Sequence, residues 1–420
     1  MRRRNVKGAP YVPDNAIVLY KTDTYGPNPN PEVMEILQKY NITDRDYMTK
    51  KDCEAVTMNQ FYNSSIANEN DLSDNNSIFA GSNIKHFKEF QYFTGVYNIG
   101  EGAFRNIPSL TEIAFPSTLV RLYFPFYNSP NLKGDIIIPD NITNISLPLG
   151  ESVLANPIIS NNFKGSISVR YGVSYQFNPN NKVISNFIYF NNALVASPKN
   201  KNKYVTIRNS DFPNTNPNLG NVIENGAFNN DTVLETVFMP DRLKSVCGFS
   251  GCTNLQYIEL NCDLVYPYTF DNCNSLKLLD MSKCTFTSYQ NRGGNSGVER
   301  VVLPKTCTEL AYEAFKGWSA LKSINLENVT KFTTGDQFKG SGIEYASLNE
   351  NANLAGGMFR DSTLINIDLP KTDTIPSECF YGCSKLKSLD LKYITKILYN
   401  NFTALSSLTD LYNIDNVEQI

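Results

Sequence analysis

The chain has 420 residues, with 38 basic against 41 acidic side chains for a formal net charge of −3, and 41% of its residues are hydrophobic. A balance this close to neutral gives no electrostatic footprint for duplex nucleic acid or an anionic membrane, while the apolar content is ample for a folded core. A single histidine, His86, removes most Ser–His and Cys–His nucleophile arrangements and every multi-histidine metal site.

Residues 1–30 are rich in Pro and Gly and carry one short apolar run, Ala16–Tyr20, which suits an extended arm or a single strand. That run is shorter than the roughly 7–15 residues of an export-signal core. No stretch reaches about 18 consecutive apolar residues, so no membrane span and no signal peptide are expected in the chain as given. Glu32–Leu37 spaces its apolar side chains helically behind Pro31, a favoured first helical position. The segment Asn41–Asp52 resembles a decayed calcium loop of the EF-hand or dockerin type. Arg45 stands where a carboxylate is needed, Asp46 where the sharp-turn glycine belongs, and Asp52 where the bidentate Glu belongs. It reads as a structural turn within a small helical, EF-like cap over residues 31–83, with no metal and no cofactor expected.

From residue 84 a repeat takes over. The pattern is Phe, five residues, Leu, two residues, then an apolar residue. It starts at Phe104, Phe228, Phe249, Phe270, Phe315, Phe380 and Phe402, with looser copies from Phe126, Phe338 and Phe359. Contiguous anchors are 21–23 residues apart, and the 45 residues from Phe270 to Phe315 are two periods, the missing copy surviving as Val298–Pro304. Leu110–Pro116 shows the physical unit: a short alternating strand closed by proline, as again in Met239-Pro240, Leu303-Pro304 and Leu369-Pro370. One unit buries too little apolar surface to offset the ordering of its backbone, so neighbours must stack and share a core.

Two stretches of the repeat carry a family resemblance. Asn98–Phe104 and Val222–Phe228 resemble the "IGxxAF" motif, and Phe249–Leu255 and Phe380–Leu386 the "FxGCxxL" turn, of BspA-like leucine-rich repeats. The resemblance implies a β-rich α/β solenoid with short helical turns. It also implies an extracellular binding or adhesion role, with no enzymatic site inside the repeats. The expected organisation is leucine-rich repeats over 84–132, a repeat remnant plus a β-hairpin insertion over 133–218, and leucine-rich repeats over 219–420. In the insertion, Phe187–Phe190 and Ala193–Ala196 read as the two arms of the hairpin.

Nine cysteines, an odd number, do not form a disulfide framework. Cys252, Cys273 and Cys383 each stand three residues after an anchor Phe, so they occupy equivalent places and read as small buried fillers at the turn. The candidate site is the strand position after the second apolar anchor, where Glu259, Asp280, Asp368 and Asp390 recur. Stacking puts Glu259 beside Asp280 and Asp368 beside Asp390, about 5 Å apart. Lys277, Lys322 and Lys387 at the openings of the same strands neutralise them in one reading. In the other, the acids and the aromatic platforms Tyr257, Tyr345 and Tyr412 form a ligand-binding face for protein or surface glycan.

The expected function is therefore recognition without catalysis. In the first setting the chain is a bacteriophage virion component, a fibre or decoration protein that meets virion neighbours or itself through residues 1–30. In the second it is a bacterial cell-surface adhesin. Localisation is accordingly virion or extracellular. Val417–Ile420 reads as the start of another rung, to be covered by a partner or by further chain.

Overall fold

The strand alternation read from the sequence appears, in a computed structural model, as coils that each contribute two short parallel strands and a return turn. Residues 12–63, 77–147, 149, 154–160, 162–169, 174–175, 182–190, 192–213, 220–289 and 297–418 are described, so the first eleven residues of the arm and the last two of the chain lie outside them. The chain divides into two compact units, Met1–Asn178 and Pro179–Ile420.

In the first unit, Ile17–Tyr20 pairs antiparallel with Tyr47–Thr49, and the helices Pro31–Lys39, Lys50–Glu54 and Met58–Tyr62 complete a cap. Asn30, buried at the start of the first helix, ties this cap to the first coil by donating to the His86 carbonyl at 2.9 Å and to Glu89 at 3.1 Å. The calcium-like loop is closed by its own side chains. Asp52 accepts from the Thr49 amide and hydroxyl at 2.8 and 2.7 Å, in a capping box, and meets Arg45 at 2.7 Å. The arginine thus supplies the positive charge that the carboxylate of such a loop would otherwise seek.

The coils then stack in two parallel ladders. In the first unit one ladder holds His86–Phe87 beside Glu112–Ile113, and Lys133–Ile137 beside Leu154–Ile158. The other runs Asn98–Ile99, Arg121–Leu122, Asn144–Leu147 and Ser166–Val169. The segment read as a repeat remnant holds further coils, in which Leu149 receives the Phe126 amide at 3.2 Å.

The second unit begins with Lys182–Ile184, Phe187–Phe190 and Ala193–Ala196 in antiparallel succession, and the last of these joins Val222–Ile223 in parallel. Its first ladder comprises Tyr204–Thr206, Thr236–Phe238 and Tyr257–Ile258, then Leu278–Asp280, Arg300–Val302 and Ser323–Ile324. Tyr345–Ser347 with Asn366–Asp368, and Ser388–Asp390 with Asp410–Tyr412, continue it. Among the described residues α-helix is confined to the cap, and beyond it the helical turns are the short 3-10 segments Lys88–Tyr92, Asn209–Asp211 and Ile414–Asn416, because 21–23 residues spent on two strands and a tight return leave little room for more.

The anchor phenylalanines are the spine of the core. In the second unit, Phe228–Phe249–Phe270 and Tyr289–Phe315–Phe338–Phe359–Phe380 stack ring on ring, with centroids 4.8–6.0 Å apart and planes within 21°. Tyr289, in register with Leu310, extends the second of these stacks by laying its ring on Phe315.

The turn that holds each Phe has a fixed requirement. The residue two places after it, from Asn106 through Gly382 to Ala404, is left-handed in all ten repeats, with φ between 53° and 77°. That backbone turns its amide onto the next coil, as when Gly340 donates to the Arg360 carbonyl at 2.8 Å and Asp361 to Tyr381 at 2.7 Å. Gly, Asn and Asp tolerate this conformation, which is the physical content of the recurring "FxG" and "FxN".

Candidate functional site

The first-ladder strands of the second unit alternate exposed, buried, exposed, as in Leu278–Asp280, Tyr345–Ser347 and Asn366–Asp368. Their first and third residues therefore form one outward face, and every candidate residue lies on it. Tyr257, Tyr345 and Tyr412 are 49%, 51% and 54% exposed, although their backbones sit in regular pairing.

The acids are on this face too. On their hydrogen-bonded side Asp280 lies in register with Val302, Asp368 with Ser347 and Asp390 with Tyr412.

Each acid has its own partner. Glu259 pairs with Lys283 at 2.9 Å, which raises the lysine's pKa. Asp280 accepts the Ser282 amide at 2.9 Å, and Asp390 accepts the Lys392 amide at 3.1 Å and the Asn413 amide group at 2.6 Å. The Tyr345 hydroxyl donates to Asp368, and that bond raises the phenol's pKa.

The expected neutralising cations are largely occupied elsewhere. Lys277 and Lys322 both meet Glu299, at 3.3 and 3.9 Å, because Glu299 opens the coil between theirs. Lys283, in the turn after the strand, is the cation that reaches the acidic stripe. The face is thus locally compensated, and it retains the other carboxylate oxygens as acceptors.

The sequence reading passed over Tyr204 and Leu278 on the same face, 68% and 45% exposed, and left Phe238 out of the site, although its ring lies 5.7 Å from that of Tyr257. The outward position of Leu278 follows from strand alternation. Tyr204 was hidden because its strand lies inside the segment assigned to the insertion.

The cysteines are free, and all but the partly exposed Cys247 are buried. Cys252, Cys273 and Cys383 each donate their thiol to the carbonyl of the preceding anchor, Phe228, Phe249 and Phe359, at 3.0–3.1 Å. Ser129 makes the same bond to Phe104 at 3.0 Å. The position is therefore a small donor, more than a filler. Burial pushes Cys273 up to about 12 and Cys383 to about 11, so both stay thiols. Among the described residues no three His, Cys, Asp or Glu side chains gather in a way that could hold a metal ion, and no helix is long and apolar enough to cross a membrane.

The BspA type leucine rich repeat region matches in six copies, over 73–149, 198–292, 221–343 and 292–409, more than half of the chain. The chain belongs to the BspA-type leucine-rich repeat family. Among solved structures, this BspA-type protein is similar to a leucine-rich repeat protein from Bacteroides ovatus, at 20% identity, covering 78% of this chain and 73% of that one with a TM-score of 0.43. It is also similar to a leucine rich cell surface protein from Faecalibacterium prausnitzii, at 17% identity over 77% and 82% of the two chains with a TM-score of 0.33. A third is the pneumococcal vaccine antigen PcpA, at 12% identity over 78% and 67% with a TM-score of 0.29. No curated protein matches the sequence.

Proposed function

We propose that this BspA-type chain is a non-enzymatic recognition protein that binds a protein or a surface glycan through its first-ladder face, as an adhesin at a bacterial cell surface. Tyr257, Glu259, Asp280, Tyr345, Asp368, Asp390 and Tyr412 are its contact residues. The observation that supports this reading is the placement of half-exposed tyrosines on strands paired in parallel with a neighbouring coil. An aromatic ring on a rigid backbone offers a large contact area at small entropic cost, for a sugar's C–H face or for a partner's apolar side chain. Four coil steps separate Tyr257 from Tyr345 and three more lead to Tyr412, roughly 20 and 35 Å at strand spacing. A ligand that uses all three is long: an oligosaccharide chain or an extended protein surface.

The test is a triple variant, Tyr257→Ala, Tyr345→Ala and Tyr412→Ala, compared with the wild type on an array of surface glycans and extracellular-matrix proteins, with circular dichroism as the control for folding. Retained binding by the folded variant removes the face from the account, as does an array to which the wild type does not bind. The same face serves a virion fibre or decoration protein. Recovery of the chain in purified phage particles, and its absence from the bacterial envelope fraction, would move the function there.

A further inference from the structure

The sulfurs of Cys262 and Cys284 lie 3.5 Å apart on neighbouring coils, 22 residues apart in sequence and outside the anchor motif. They are the two described cysteines with a sulfur–sulfur contact, and the Thr285 amide donates to the Cys262 carbonyl at 3.0 Å, which holds the two backbones side by side. Adjacent coils are about 4.8 Å apart, inside the span of roughly 4.4–6.8 Å that a disulfide bridges between Cα atoms.

Cys262 is shut inside the core, but Cys284 forms part of the wall of a groove of about 600 Å³ that runs along the strands Arg300–Val302 and Ser323–Ile324 and the turns after them. The groove is also lined by Arg300 and Lys305, neither of which has an ion-pair partner among the described residues, and by one carboxylate, Glu327. Its lining thus offers two cations to an entering anion, with a thiol in the wall and a second thiol behind it.

We propose that Cys284 and Cys262 form a thiol–disulfide exchange pair that reacts with small anionic disulfides entering this groove. The Cys284 thiolate attacks one sulfur of the incoming disulfide, forming a mixed disulfide and releasing one small thiolate, which takes up the proton that Cys284 gave up. Cys262 then loses its proton and attacks the Cys284 sulfur. That step expels the second small thiol and closes the Cys262–Cys284 bond. Two protein thiols are oxidised, the incoming disulfide is reduced to two thiols, and no other electron acceptor is needed.

The order of attack follows from position and from charge. Cys284 is the sulfur at the groove, and either thiol can donate across the 3.5 Å contact; with Cys262 donating, the pKa of Cys284 is lowered and that of Cys262 raised. Burial and the nearby Asp280 and Asp263 oppose this, and the hydrogen bond outweighs them. Closing the bond would clamp two coils together.

The experiment uses the full chain with oxidised glutathione, which is anionic, and 2-hydroxyethyl disulfide, which is neutral. Free thiols are counted under native conditions and the products mapped by peptide mass spectrometry. The expected result is loss of two thiols, a Cys262–Cys284 bridge reversed by dithiothreitol, and a thermal midpoint raised by roughly 5 °C. Cys262→Ser should arrest at a mixed disulfide on Cys284. Arg300→Gln, a surface change that leaves the pair intact, should slow glutathione disulfide several-fold and the neutral disulfide hardly at all. Oxidation that appears only in the unfolded chain, a bridge that maps to other cysteines, or equal effects of Arg300→Gln on both reagents would overturn the proposal.

Discussion

Phe338 is the sharpest test of what holds the coils together. Its ring is fully buried between Phe315 and Phe359, at 5.7 and 5.3 Å with planes only 6° and 8° apart. Replacing a core Phe by Ala costs about 3–5 kcal/mol, and two stacked partners, each contributing about 0.5–1.5 kcal/mol within that total, place Phe338→Ala at the upper end. Phe402 occupies the same motif position in the last repeat but is half-buried and stacks on no ring among the described residues, so Phe402→Ala should cost about 1–2 kcal/mol.

Because each coil couples only to its neighbours, native-state hydrogen exchange can locate the loss as well as register it, which a global midpoint does not. At about 1.4 kcal/mol per decade, Phe338→Ala should accelerate exchange of the turn amides at Phe315, Phe338 and Phe359 by roughly a thousandfold or somewhat more. The hairpin Phe187–Ala196 should be left near its wild-type rate. If Phe338→Ala and Phe402→Ala cause equal losses, or if the hairpin amides open together with the turn, the stacked rings are not the local source of stability.

The left-handed turn site gives a pair of opposite predictions, both read by chemical denaturation. Gly382→Ala forces a Cβ onto φ +72° and to 2.2 Å from the Asp361 carboxylate, and should destabilise by about 1–3 kcal/mol, whereas Ala404→Gly relieves the same strain at φ 60° and should stabilise by up to about 1 kcal/mol. Asn401→Ala should cost about 2–4 kcal/mol by the same assay. The buried amide of Asn401 accepts the Phe380 amide at 3.3 Å and donates to the carbonyls of Pro376 and Leu398 at 2.9 and 2.7 Å, and its loss orphans them.

Burial raises the Asp271 carboxyl to about 6, and its Oδ1 has no hydrogen-bond partner among the described residues. Its folded pKa lies above the unfolded value near 4, so its contribution favours folding at low pH and is lost as pH rises through about 6. Asp271→Asn should flatten that slope between pH 4 and 6 and stabilise at pH 7 by about 1 kcal/mol, after allowance for its half-exposed setting.

The solenoid was legible because one turn geometry selects the same letters each time: Phe for the stack, and Gly, Asn or Asp two places later for the left-handed backbone. Where another residue satisfies the same geometry, the signal disappears. The coils beyond Leu132 carry no copy of the Phe pattern and so read as a remnant, and Tyr289 joins the ring stack from a strand position that the pattern does not cover. The outward tyrosines were legible from period-two alternation alone. The partners of the acids were not, since short turns such as the one that carries Lys283 decide which group each carboxylate meets. The Cys262–Cys284 contact was invisible for a related reason: it depends on coil-to-coil register at a place where no repeat letter recurs.

The direction of the hydrogen bonds has a mechanical consequence. In the second unit both ladders and the turn amides bond from coil to coil, along the stacking direction. A pull applied to the two ends of that stack loads those bonds lengthwise, a few at a time, and does not shear a long strand against its neighbour. Such a stack yields at low force, one coil after another, and each release of 21–23 residues of slack relaxes the tension on whatever the remaining coils hold.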